Sequence, residues 1–142
     1  MTQQHNWDDA VAVLSSTGVR TFPDPRPSSH AGDDGLVYLV GWRCTECAHP
    51  LALPAPWCPR CRGGLAPDKF GPGGAVWSST VLRVPLPGRT PPYGLVYVDL
   101  ADGPRVLAHY SADPMVRLPV GTAVELTTST DLGDIAVRLR AG

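Results

Sequence analysis

No apolar run in this chain is long enough to cross a bilayer. The longest, Leu36 to Trp42, is interrupted by Gly41 and falls far below the roughly 20 residues a membrane helix needs. No charge of one sign predominates either: twelve basic and thirteen acidic residues leave a formal net charge of −1, which removes any general attraction to nucleic acid or an anionic membrane. There is no internal repeat and no low-complexity tract. Nothing at the N-terminus reads as a signal peptide, so a cytoplasmic chain with reduced thiols is expected. His5, His30, His49 and His109 lie in unrelated contexts with no serine-centred motif beside them, so a hydrolytic triad is not suggested. Cysteine is missing from the whole chain except between Cys44 and Cys61.

That exception organises the rest. Cys44-Thr-Glu-Cys47 and Cys58-Pro-Arg-Cys61 bracket ten residues, and two C-x-x-C pairs at short separation form two knuckles that present four sulfurs to one tetrahedral ion. A catalytic zinc keeps one position open for water, so four thiolates around Zn²⁺ make a structural site. An iron centre in the same four-sulfur geometry is the alternative, as is a disulfide in an oxidising compartment. Zinc is preferred because no second redox feature accompanies the motif. His49 could substitute as a ligand, but four cysteines already fill the shell. The site carries a formal charge of about −2, and Arg43, Arg60, Arg62 and Lys69 are expected to balance it.

The length suits a small metal-stapled module plus a second compact one. Trp7, Ala10, Val11 and Leu14 fall at helical spacing, with Asn6 as N-cap and Gly18 as stop, predicting a short amphipathic helix over about residues 7 to 16. Residues 20 to 35 carry three prolines and no periodic apolar pattern and read as a linker. Leu36 to Arg43 reads as a strand into the first knuckle, and a zinc ribbon spans about 36 to 68.

Beyond Gly74 the pattern becomes one of short alternating segments. Val76, Ser78, Thr80 and Leu82 alternate with Trp77, Ser79 and Val81; Val96, Val98 and Leu100 alternate with Leu95, Tyr97 and Asp99. Asp102-Gly103 is a hairpin turn into Val106, Ala108 and Tyr110, and two further strands lie near Val124 and Leu126 and from Ile135 to Leu139. Five short strands with one longer connection after the third fit a closed or nearly closed barrel, of which the OB-fold is the commonest solution. An open sandwich has the same periodicity. The fold class is therefore mainly β: an N-terminal helix and linker (1–35), a rubredoxin-like zinc ribbon (36–68) and a five-stranded OB-fold (69–142). The barrel's alternation is self-contained, so loss of the ribbon is expected to spare it.

The ordered motifs Cys44-x-x-Cys47, Cys58-Pro59-x-Cys61, Gly74 to Val81, Pro92 to Leu100 with Asp102-Gly103-Pro104-Arg105, and Val120 to Val124 resemble those of two-module proteins in which a zinc ribbon precedes an OB-fold. These proteins accompany acyl-CoA enzymes: thiolases, hydroxymethylglutaryl-CoA synthases, steroid side-chain aldolases and polyketide-type acyltransferases. This chain departs from that family in having Ala48 and Arg62, where glycine usually follows the second cysteine of each knuckle, and Pro72 before Gly73-Gly74.

The resemblance implies a non-catalytic accessory subunit that binds a thiolase-like enzyme and helps hold acyl-CoA. Thiolase chemistry needs a nucleophilic cysteine, and no cysteine here is left over. Docking through the ribbon and an exposed barrel edge is expected. Trp77, Arg83, Arg89, Tyr93 and Arg105 are candidate contacts to CoA or to the partner, arginine being suited to phosphate. Each arginine could equally be a solvated loop or strand charge, and Trp77 could be buried between the modules. A nucleic-acid-binding ribbon and OB-fold is the alternative. It requires a basic groove with stacking aromatics, whereas the barrel half has six arginines, no lysine and acidic residues that offset them. A free-standing enzyme lacks any convergent acid, base or nucleophile motif.

Overall fold

Backbone pairing organises residues 26–141, the part described by the computed structural model, into nine strands. The first four are β1 (Ser28–Ala31), β2 (Val37–Cys44), β3 (Pro50–Leu51) and β4 (Leu65–Phe70), and β2 pairs antiparallel with each of the others. The expected helix lies outside the described residues.

Part of the stretch read as a linker is β1, which runs against β2 from Ser28 opposite Val40 to Ala31 opposite Val37. Its side chains are mostly exposed, so it shows no apolar periodicity and is formed by backbone hydrogen bonds at a sheet edge. The intervening turn is tightened by Asp34, whose carboxylate accepts the Leu36 N–H at 3.0 Å and the Tyr38 O–H at 2.6 Å. Gly35 supplies the left-handed residue, with φ +81°.

The remaining strands, β5 (Gly73–Leu82), β6 (Tyr93–Leu100), β7 (Arg105–Tyr110), β8 (Ala123–Thr127) and β9 (Ala136–Leu139), close into a barrel in the order β5-β6-β7-β9-β8. Closure comes from β5, whose first residues, Gly73 to Ala75, pair with β8 while Gly74 to Leu82 run along β6. The open-sandwich alternative and the exposed barrel edge are thereby excluded. The alternation along β6 is realised as read, with Val96, Val98 and Leu100 inside.

Along β5 the alternation breaks. The register slips between Val76 and Ser78, so Trp77 is the extra residue of a β-bulge. Val76 is buried, Trp77 is half exposed, and beyond the bulge Ser79, not Ser78, turns inward: its hydroxyl exchanges hydrogen bonds with Leu118 N and O at 2.7 and 2.8 Å. That pair, with the Tyr110 hydroxyl donating to the Val116 carbonyl, pins the connection between β7 and β8 across the barrel. Gly94 sits opposite Tyr110, whose ring lies where a Cβ would stand, 2.3 Å away.

Ribbon and barrel share one core. Leu39 of β2 and Phe70 of β4 are buried in the same apolar cluster as Val76, Val96, Val98, Leu100, Val124 and Leu126. The Phe70 ring reaches across the junction, occupying the Cβ space of Gly41 on one side and of Gly103 on the other. The barrel's apolar set is therefore not self-contained. Alternation within each strand showed which residues face inward but not that the ribbon supplies part of what they face.

Candidate metal centre and the ligand face of the barrel

Each knuckle is a tight turn closed by backbone hydrogen bonds: Cys44 N to His49 O at 2.9 Å and Ala48 N to Cys44 O at 3.1 Å in the first, Cys58 N to Gly63 O and Arg62 N to Cys58 O at 2.8 Å in the second. Closing these turns requires a left-handed residue directly after the second cysteine. Ala48 at φ +63° and Arg62 at φ +67° occupy those positions, which explains the preference for glycine there. The turns aim backbone N–H groups at sulfur: those of Glu46 and Cys47 lie 3.4 Å from Cys44 Sγ, that of Arg60 3.4 Å from Cys58 Sγ and that of Gly63 3.4 Å from Cys61 Sγ.

The four cysteines thus converge. Their sulfurs lie within 4.8 Å of one another, with Cys44 to Cys61 at 3.4 Å and Cys47 to Cys58 at 3.6 Å. Four sulfurs around one ion at about 2.3 Å would stand roughly 3.8 Å apart, so the cage has the size for a tetrahedral metal. Its electrostatics also call for a cation. The backbone N–H of Cys47, then that of Glu46, draw the Cys44 thiol down to about 6. Cys61, whose thiolate the Gly63 N–H favours, is nevertheless pushed up to about 12 by neighbouring Cys44, Cys47 and Cys58 and by desolvation. One thiolate is ready and the next is penalised by its neighbours, a penalty that a bound divalent cation removes.

Two of the four expected counter-charges serve elsewhere. Arg43 donates to Asp68 at 2.8 Å, to the Ala48 carbonyl at 3.0 Å and to the Asp102 carbonyl at 2.8 Å, and it lies 5.0 Å over the Phe70 ring. Lys69 lies 4.3 Å over the Tyr38 ring. Arg60 and Arg62 remain exposed on the second knuckle. His49 contributes its carbonyl to the first knuckle, and its ring is not among the clustered ligands.

The five contact candidates fall into three places. Arg83 is exposed just beyond β5. Trp77 and Arg105 form one outward feature: Asp99 holds Arg105 by two hydrogen bonds, at 2.6 and 3.0 Å, and the guanidinium lies 3.9 Å over the Trp77 ring. Trp77 meets Tyr97 edge-on at 6.0 Å, and exposed Leu107 lies opposite Tyr97 on β7. Burial of Trp77 between the modules is thereby excluded. Arg89 and Tyr93 instead sit at one end of the barrel, where Arg89 pairs with Asp134 and the Tyr93 ring stacks with His109 at 6.2 Å. Sequence reasoning missed Tyr97, His109 and exposed Trp57 beside Cys58. Only Tyr97 had a signal, its place on the outward side of the β6 alternation.

Comparison with known proteins follows the same division. Residues 69–129 match the family model of the ChsH2 C-terminal OB-fold domain. Over these residues the barrel is similar to the ChsH2 OB-fold domain, which supports the resemblance to an acyl-CoA-associated family that the ordered motifs carry. A solved structure described as the Ltp2-ChsH2(DUF35) aldolase is similar at 26% identity, over 70% of this chain and 81% of that one, with a TM-score of 0.57. That share of this chain is larger than the stretch the family model matches, so the likeness extends beyond residues 69–129. No curated protein matches. Among the described residues no helix is long and apolar enough to cross a membrane.

Proposed function

We propose that this chain is a non-catalytic, cytoplasmic accessory subunit that binds a thiolase-superfamily enzyme and helps hold its acyl-CoA substrate, with one structural zinc on Cys44, Cys47, Cys58 and Cys61. The observation that carries this reading is the likeness to the Ltp2-ChsH2(DUF35) aldolase over 70% of this chain. The chemistry of the chain supports it: every cysteine sits in the metal cluster, leaving no thiol to act as the nucleophile that thiolase chemistry needs.

Because the barrel is closed, the partner meets side-chain faces and not a strand edge. The Trp77, Tyr97 and Arg105 face has the composition of an interface hot spot, and Asp99 holds its arginine in place before binding. Exposed Leu53 and Trp57 give the ribbon a second apolar contact, and Arg83 is free to meet a CoA phosphate.

Co-expression with a thiolase-like chain, followed by size-exclusion chromatography and a turnover assay with and without this subunit, tests the proposal. A stable complex is expected, with turnover that falls when this subunit is omitted and none from this subunit alone. Absence of any such complex, together with salt-sensitive binding of single-stranded DNA, would transfer the function to nucleic acid.

A further inference from the structure

At one end of the barrel the loop from β5 to β6 (residues 83–92) and the loop from β8 to β9 (residues 128–135) flank a cavity of about 380 Å³. Loops in these two positions hold ligands in other OB-folds, and the volume lies in the range of small-molecule sites, roughly 300–1,000 Å³. The open wall is mostly apolar, with Tyr110, Ala136 and Val137 supplying part of it. A hydrocarbon body placed there takes apolar surface out of water on both sides.

The charges that line the cavity are already matched. Arg89 is paired with Asp134, and Arg138 with Glu125 at 2.8 Å. Arg26, which also reaches Asp134, does not line the cavity and donates as well to the Leu132 carbonyl. Burial and then the Arg89 charge push the His109 pKa down, so the imidazole is neutral at pH 7. An ion entering this space would give up its hydration and find each opposite charge engaged, an exchange that costs free energy. The wall thus favours an uncharged occupant.

One hydroxyl is left without a partner. Tyr93 lines the cavity, its ring stacked with His109 at 6.2 Å. Its O–H is buried and meets no hydrogen-bond partner among the described residues, an arrangement that costs free energy until an acceptor takes the proton. A carbonyl oxygen does so without bringing a proton that would itself need an acceptor. We propose that this cavity binds a small uncharged ketone, with the carbonyl oxygen accepting from Tyr93 and an apolar body lying against Tyr110 and Val137.

The site needs no partner, so it is tested on the intact, metal-loaded chain alone, and its failure leaves the accessory-subunit reading untouched. Cyclohexanone, cyclohexane, cyclohexanecarboxylate and glucose are titrated separately while amide NMR signals are followed. Cyclohexanone is expected to saturate and to shift the signals of Tyr93, His109 and Thr128, with the carboxylate at least about tenfold weaker, because its charge is buried unmatched. Tyr93→Phe removes only the unpartnered hydroxyl, so the variant should melt no lower than the wild type. It should bind cyclohexanone about fivefold more weakly, the loss of one hydrogen bond, and cyclohexane as before. Carboxylate binding as tight as that of the ketone in the wild type would overturn the proposal, a result that does not depend on the variant folding. So would tighter binding of glucose than of cyclohexanone, an unchanged ketone affinity in Tyr93→Phe, an equal loss for ketone and hydrocarbon in that variant, or no saturable binding.

Discussion

The Arg43 guanidinium, rooted in the ribbon beside the clustered cysteine Cys44, donates a 2.8 Å hydrogen bond to the carbonyl of Asp102 in the barrel's β6–β7 hairpin. Asp102 holds a left-handed conformation, φ +51°, that turns this carbonyl outward. One side chain thus ties Asp68, the first knuckle and the barrel together across the Phe70 ring. Arg43→Ala should destabilise the fold by about 2–3 kcal/mol, since it removes several hydrogen bonds from a charged donor. Arg43→Lys should recover less than half, because an ammonium cannot reproduce the fork. Chemical denaturation of the three proteins measures this, and equal stability of the alanine and wild-type proteins would deny the clasp.

The knuckles offer a gain of stability. Ala48 and Arg62 bear a Cβ in the left-handed region, at a cost that glycine avoids. Ala48→Gly and Arg62→Gly should each stabilise the metal-loaded protein by about 0.5–1 kcal/mol, the relief being partly offset by the greater freedom of glycine in the unfolded chain. A lower melting temperature in either variant would contradict the knuckle geometry.

Stripping the metal should weaken both halves. Binding energy at a four-thiolate site is folding energy, and the ribbon strands it supports carry Leu39 and Phe70 into the barrel core. After chelation, hydrogen exchange at Val96 and Val98 in β6 should speed up along with that of β2. Protection of β6 that survives while β2 exchanges freely would show that the barrel stands alone.

Stability should fall with acid in two stages. His109 is held below its ordinary pKa by burial and Arg89, so the folded state takes up its proton later than the unfolded chain does. The stability it contributes is complete above the unfolded value of about 6.5 and is lost as pH falls through the folded one. Asp68, lowered by hydrogen bonding to Arg43, and Asp99, lowered likewise by Arg105, act in the same direction at lower pH, below the usual carboxylate value. Melting temperature measured between pH 7.5 and 5 should decline in the wild type and decline less in His109→Gln. Parallel curves would remove His109 from the account.

The four-cysteine cluster and five barrel strands were legible because both are local: cysteine spacing fixes a knuckle, and period-two alternation fixes a strand face. Three features were not. β1 carries no apolar pattern because an edge strand with exposed side chains buries none. The bulge at Trp77 leaves no mark in the alternation on either side, so the inward turn of Ser79 shows only through its bond to Leu118. The cavity is assembled from loops and strand ends far apart in the chain, among them Tyr93 and Val137, whose meeting depends on closure and not on any local spacing.

The shared core also separates two ways of dividing a chain. The stretch matched as a family domain begins at residue 69, thirty residues after Leu39, which is fully buried against that domain's own apolar side chains. Cut at that point, the barrel would keep every one of its strands and lose a side chain from its interior, leaving an apolar hole open to water where β2 had lain. A segment inherited as a recognisable unit is here completed by residues that lie before it in the chain, and transplanting it without them would move the outline of the barrel and leave part of its filling behind.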